Sequence, residues 1–291
     1  MQRLNILSSF WLKIIAIVTM TLDHFGLILA EYYLSNSDVL VMTLRSIGRI
    51  AMPLYCFMIA EGVFHTKSFL KYFLRLSIMA VIISISIFVI EEENILGRSM
   101  VSGAGNIFLD LTLGALGVYC MKHKDIRIKV LAVLPLIFAI TSYVVNSYEL
   151  TEGAVIHWLP YYLRTQYGWW GVALIYGFYL SRVGADLFLH YYSEKSGVDY
   201  EILKGTHLEL DAIKIINLFF FLGISAGFII CVNLTKFNIT DQQIFCVFAG
   251  ALLLLYNNKR GYNRKWFEYG CYLYYPVHIA ILGLVFYLLN M

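Results

Sequence analysis

Apolar residues fill this chain in blocks close to twenty long, separated by short polar turns. Strands of a membrane barrel would be shorter and would alternate, so the pattern is that of helices spanning a bilayer. The blocks lie at 11–30, 39–61, 70–90, 105–121, 129–147, 168–190, 212–233, 242–256 and 267–290, nine in all. Residues 153–163 (GAVIHWLPYYL) are apolar but short and contain Pro160, which fits a re-entrant or interfacial segment; if they cross, the count is ten. Pro53 lies inside the second block and predicts a kink there. No internal repeat, low-complexity tract or linker divides the chain, and its longest polar segment, 191–211, is too short for a core of its own. The expectation is an all-α polytopic membrane helical bundle of nine to ten transmembrane helices, a single domain over residues 1–291.

Composition strengthens this reading: 60% of residues are hydrophobic, 16% aromatic and 14% charged, with a mean hydropathy of +0.71. The formal net charge of +3 is small, and the placement of charges tells more than their sum. The loop EYYLSNSD after the first block has no Lys or Arg, whereas the next carries Lys67 and Lys71, with Arg75 just beyond. EEENILGR (91–98) is mostly acidic, the turn holding Lys122, Lys124, Arg127 and Lys129 is basic, SYELTE (147–152) is acidic, and NNKRGYNRK (257–265) is strongly basic. The positive-inside rule then puts the N-terminus in the cytoplasm of a multi-pass protein of the cell membrane. The first block lacks a small-residue cleavage site and reads as a retained span. Cys56, Cys120, Cys231, Cys246 and Cys271 lie in or beside apolar blocks without CxxC spacing, as packing residues do.

The first block also holds Lys13, Asp23 and His24, although an ionised side chain at mid-membrane costs roughly 2.5–3.5 kcal/mol to insert. Eleven steps of about 100° bring His24 to within about 20° of the face of Lys13, about 16 Å along the axis. One helix thus presents a cation and, three turns higher, an imidazole, over the length of a thin phosphorylated acyl carrier such as coenzyme A. Histidine titrates near neutrality, which suits a general base. Arg45 and Arg49 sit one turn apart in the second block, and packing of the first two blocks brings them to the depth of Asp23 and His24. Asp23 points about 100° away from His24, so two roles stay open for it: holding the histidine, or pairing with the arginines. Glu61, His65, Asn106, Asp110, Tyr275 and His278 are further candidates to contact a substrate, with Asp110 and His278 placed to line one cavity; each alone is equally an interhelical hydrogen bond. Lys67, Lys71, Arg75, Lys259, Arg260, Arg264 and Lys265 either hold phosphates of a soluble donor or fix topology against anionic headgroups. The chain has no HExxH, no clustered Cys and no close carboxylate pair to suggest a metal, and no Walker loop or GxGxxG in a strand–helix context.

Several of these residues fall in longer blocks: LKIIAIVTMTLDHFG (12–26), LRSIGRIAMPLYCFMIAEGVFHT (44–66), KYFLRL (71–76), YGWWG (167–171), LYNNKRG (255–261) and YYPVH (274–278). Together they resemble the TraX family of integral membrane acetyltransferases, known for acetylating the N-terminus of a conjugative pilin, over most of the chain. The Lys13–His24 spacing and the Arg45–Arg49–Pro53 pattern also resemble the wider transmembrane acyltransferase superfamily, including acyltransferase family 3. The resemblance implies that His24 is the catalytic base, that Lys13 helps hold the acyl donor, and that Arg45 and Arg49 line the donor or acceptor site; Asp23 beside the base, and Lys259 and Arg260 at the donor's phosphates, are the candidates added from the residues themselves. Gln166 stands where the family pattern has an acidic residue, and Asn258 where it has glycine.

The expected activity is transfer of acetyl from cytoplasmic acetyl-CoA to an amine or hydroxyl, either a pilin or other peptide N-terminus or a surface glycan, directly or through an acetyl-histidine. No metal and no nucleic acid is expected; membrane lipids are partners, and a homodimer is one option for assembly. Two other readings stand beside it. One is a transporter or proton-coupled carrier using Asp23, His24, Arg45 and Arg49, against which the chain shows no inverted repeat. The other is a non-catalytic assembly factor for surface appendages.

Overall fold

The first apolar block forms α1 (Ser9–Tyr32), and the second forms two helices, α2 (Val39–Gly48) and α3 (Ala51–His65). A computed structural model describes residues 5–92, 105–153, 156–235 and 241–289. The break between α2 and α3 lies at Arg49 and Ile50, just ahead of Pro53. Proline offers no N–H to the carbonyl four residues back, and its ring crowds that carbonyl. The chain tightens there to i→i−3 bonds, Arg49 N–H to Ser46 and Ile50 N–H to Ile47, both 3.3 Å, and restarts with Pro53 in the first turn of α3, where no N–H is needed. After α4 (Phe69–Glu92) and α5 (Ile107–Lys122), the device recurs. Helices α6 (Ile126–Val130) and α7 (Val133–Glu152) meet at Leu131 and Ala132, with Pro135 in the first turn of α7. Then follow α8 (Trp169–Ser196), α9 (Tyr200–Leu203), α10 (His207–Thr235), a 3-10 segment Asp241–Val247 leading into α11 (Phe248–Leu254), and α12 (Lys265–Leu289).

Six stretches among the described residues are long and apolar enough to cross a membrane: Ser9–Ala30, Val39–His65, Phe69–Val89, Ile126–Glu152, Trp169–Ser196 and His207–Leu234. They are the first, second, third, fifth, sixth and seventh of the expected blocks. The fourth block forms α5, with 16 residues; the eighth forms a 3-10 segment and the 7-residue α11; the ninth forms the 25-residue α12. Within 153–163 the described residues make only a 3-10 turn, Tyr161–Leu163. Most of the acidic loop 91–98 lies outside the described residues. On α4 the side chains of Leu70, Leu74, Ile78, Val81, Ile85 and Phe88 are exposed at helical spacing. An uninterrupted outward apolar stripe of that length suits a lipid solvent.

Helices α3, α5 and α8 pack on one another at the centre, α10 lies along α8, and α1 runs beside α2, α3 and α12. Trp170 stacks on Phe228 with centroids 5.2 Å apart, and Phe178 on Phe221 at 6.2 Å, all four fully buried, which joins α8 to α10. The irregular segment before α8 is tied down by polar groups of other helices. Asn106 caps α5 through its Oδ1 and donates its backbone N–H to Arg164 O (2.8 Å) and its amide to Ala80 O (2.6 Å). The Asp110 carboxylate, fully buried, accepts the N–H groups of Gln166 (2.7 Å) and Tyr167 (3.3 Å). Arg164 pairs with Glu149 and donates to Leu159 O (2.7 Å) and Asn146 Oδ1 (2.9 Å). A buried loop needs its backbone and charges satisfied in this way, and the result fixes residues 164–167 against the end of α5.

Candidate active site

The start of α1 is closed by the loop that follows α11. Ser9 and Phe10, whose N–H groups have no partner within the helix, donate to the carbonyls of Lys259 (2.9 Å) and Arg260 (3.0 Å), and Asn257 N–H donates to Leu7 O (2.8 Å). The loop turns through two left-handed residues, Asn258 (φ 57°) and Gly261 (φ 72°). A Cβ at Gly261 would run into the Ser8 side chain, so this turn closes on Ser8 only with glycine there. Asn258 also accepts from Arg182 (2.9 Å), whose guanidinium is ion-paired through two nitrogens with Glu61 of α3.

This loop, the first turns of α1 and α4, and parts of α3, α5 and α12 enclose a cavity of about 460 Å³. That is within the range of small-molecule sites. Lys13, Lys67, Arg75 and Arg260 line it, as do Glu61, His65 and Glu268. Glu61 is taken up by Arg182 and by His65 (3.6 Å). Lys13 and Arg75 have no carboxylate partner among the described residues, and Arg75 lies against the rings of Tyr72, Tyr269 and Tyr272 at 5.8–6.0 Å. The cavity therefore carries surplus positive charge.

Beyond it lies a second chamber of about 20 Å³, lined by Asp23, His24, Gly48, Ala51, Met52, Gln166 and Tyr167. Met20, Tyr55, Ile107 and Tyr275 line both spaces and stand between them. His24 Nδ1 lies 2.6 Å from His278 Nε2, and His278 Nδ1 lies 2.8 Å from the carbonyl of Tyr274. A carbonyl only accepts, so His278 Nδ1 carries the proton and, in the neutral ring, its Nε2 accepts. His24 must then hold its proton on Nδ1 and keep the lone pair on Nε2. One turn below, Thr21 Oγ1 meets the Tyr274 hydroxyl at 2.7 Å, which pins α12 to α1 at the same height. The order carbonyl, His278, His24, open nitrogen is that of an oriented general base.

Asp23 turns the other way. Its Oδ1 lies 2.5 Å from an Arg49 terminal nitrogen and 3.4 Å from Arg45 Nε, and Arg49 Nε also donates to Arg45 O (3.2 Å). Helices α1 and α2 approach closely here, since a Cβ on Gly48 would overlap the Asp23 side chain and one on Gly26 would come to 2.9 Å from Leu44 Cβ.

A sequence profile of the family described as TraX protein matches residues 8–193, well over half of the chain. The chain belongs to the TraX family. It is similar to a probable fimbrial assembly protein FimC, serogroup H1, of Dichelobacter nodosus, with 26% identity over 284 residues covering 94% of each chain. It is also similar to the uncharacterized protein RP591 of Rickettsia prowazekii (strain Madrid E), with 24% identity over 283 residues, 94% of this chain and 90% of the relative. No solved structure matches it.

In this TraX-family chain the sequence-derived candidates divide among three places. Lys13, Glu61, His65, Arg260 and Tyr275 meet at the larger cavity, and His24, Asp23 and again Tyr275 at the smaller chamber. His278 stands directly behind His24, rather than beside Asp110 on a cavity wall. Arg45 and Arg49 are gathered on Asp23 and line neither space; Asn106 and Asp110 hold the 164–167 segment; Lys259 contributes its carbonyl to α1 while its side chain is exposed. Three contributors escaped the sequence reading. Arg182 carried a usable signal, a charge inside the apolar block 168–190. Tyr55 and Met52 carried none, being of types common in every block.

Proposed function

We propose that this protein is a membrane acyltransferase that uses a coenzyme A thioester, acetyl-CoA by the smallness of the inner chamber, as donor and His24 as general base. The observation that carries the reading is the hydrogen-bonded order Tyr274 O, His278, His24, which leaves the lone pair on His24 Nε2 beside a chamber that shares four lining residues with a cationic cavity. Lys13, Arg75, Lys67 and Arg260 suit the phosphates of the donor, whose thin thiol-bearing arm would pass between those four residues. The attacking amine or hydroxyl gives its proton to His24 Nε2 as its heteroatom bonds to the thioester carbonyl carbon. The carbon–sulfur bond breaks, and the proton passes to the departing thiolate. His278 accepts from Nδ1–H throughout and keeps the ring in register. Because the cavity opens at the end carrying the basic turns, the donor enters from the cytosol in the orientation the positive-inside rule assigns.

The test is transfer by the full-length protein in lipid vesicles, with acetyl-CoA and a peptide bearing a free N-terminus, read as thiol release and as peptide mass. Replacing His24 with Ala lowers turnover by about 10²–10⁴-fold at matched folding. A second reading is a non-catalytic factor in fimbrial assembly, favoured by the name of the Dichelobacter nodosus relative. Normal appendage assembly by His24→Ala together with no transfer by the wild type decides for it.

A further inference from the structure

The inner chamber is far smaller than the cavity below, about 20 Å³ against about 460 Å³. A water molecule needs roughly 10–15 Å³ of such space, so the chamber has room for one small group. Met52 is only 2% exposed, and its Cε lies over Gly171 of α8, where an added Cβ would come to 2.8 Å. On the α2 side Gly48 is already packed against Asp23. The rest of the lining is mixed: Met20, Ala51 and Ile107 are apolar, while Asp23 is held by Arg49 at 2.5 Å and Gln166 has its Oε1 buried without a hydrogen-bond partner.

A thioester that reaches His24 from the larger cavity, past Met20, Tyr55, Ile107 and Tyr275, keeps its sulfur towards that cavity and turns the acyl substituent into the chamber. A methyl group fits there. Each further methylene overfills a space of about 20 Å³ and must displace a packed side chain, and Met52 is the long, fully enclosed one whose truncation adds room. We propose that Met52 sets the length of acyl chain this protein transfers and restricts it to two carbons. The inference rests on the acyl-transfer reading above.

The experiment compares acetyl-, propionyl- and butyryl-CoA as donors for one peptide acceptor, using the full-length protein in vesicles. Rates are taken as ratios within each variant, so the folded fraction cancels. Wild type is expected to favour acetyl over propionyl by about 10–200-fold, the usual discrimination for one methylene, and over butyryl by more. In Met52→Ala the acetyl-to-propionyl ratio should fall by at least about tenfold, while the volume-conserving Met52→Leu keeps it. Butyryl transfer by the wild type at a rate near that of acetyl, or an unchanged ratio in Met52→Ala, overturns the filter and leaves the acyltransferase standing. Wild type that transfers nothing from any donor overturns both.

Discussion

At the scale of residues, the site depends on two linked histidines and one shared carboxylate. On the proposed mechanism His278 acts through His24, so its loss should differ in kind from loss of the base. In His278→Ala, kcat is expected to fall by about 10–100-fold, as for other partners that orient a catalytic imidazole, with KM for acetyl-CoA unchanged. A matching rise in KM would place His278 in donor binding instead. Asp23 is a counter-ion before it is anything else. Its side chain and that of Arg49 are 13% and 10% exposed, and Asp23→Asn leaves two guanidinium groups uncompensated, at a cost of about 3–5 kcal/mol in detergent unfolding. Adding Arg49→Met should recover part of that loss; no recovery would mean that Asp23 stabilises the bundle by other contacts. The Lys13–His24 line was legible because both residues share one helix and a 3.6-residue period fixes their faces. The partner of His24 was not, since His278 is 254 residues away in sequence and no periodicity connects α12 to α1. The two roles open to Asp23 were legible, but only packing against α2 decided between them.

At the scale of helices, close approach and backbone continuity govern. Gly48→Ala places a methyl group on the Asp23 side chain and must push α1 from α2, which should cost about 1–3 kcal/mol and reduce transfer. Gly223→Ala, in α10 with open space around it, is the control: helix propensity alone should stabilise it by up to about 1 kcal/mol. Equal melting temperatures for the two variants would refute the close approach. Pro53 made the second span's interruption legible, though it acts a turn earlier than its own position, because the carbonyl that loses its partner lies four residues back. Asn258 was legible as an oddity where the family pattern has glycine; its φ of 57° shows why glycine suits that turn and why asparagine, tolerant of the left-handed region, replaces it. Hydropathy could not foresee that block 242–256 would divide into a 3-10 segment and a short helix, since mean apolarity does not encode where a helix nucleates.

At the scale of the whole molecule, groups that charge placement assigned to one side of the membrane converge: Lys13, Lys67, Arg75 and Arg260 come from three separate stretches of chain and surround one cavity. On the proposed reading His24 is reached from that cavity past Met20, Tyr55, Ile107 and Tyr275, so donor access and membrane orientation form a single proposition. Cysteine labelling in intact cells tests it, on a background in which the five native cysteines are replaced. Ser37, exposed in the loop without Lys or Arg, should react as Ser37→Cys with a membrane-impermeant maleimide added outside. Lys67→Cys, at the cavity rim, should react only after the membrane is opened. Coenzyme A should then slow labelling of Lys67→Cys and leave Ser37→Cys untouched, because only the former lines the cavity. Reaction of Lys67→Cys from outside would turn the cavity away from the cytosol and remove the cell's coenzyme A pool as its source of acyl groups. Outward labelling of Ser37→Cys with no protection of Lys67→Cys would keep the orientation and detach the cationic cavity from the donor.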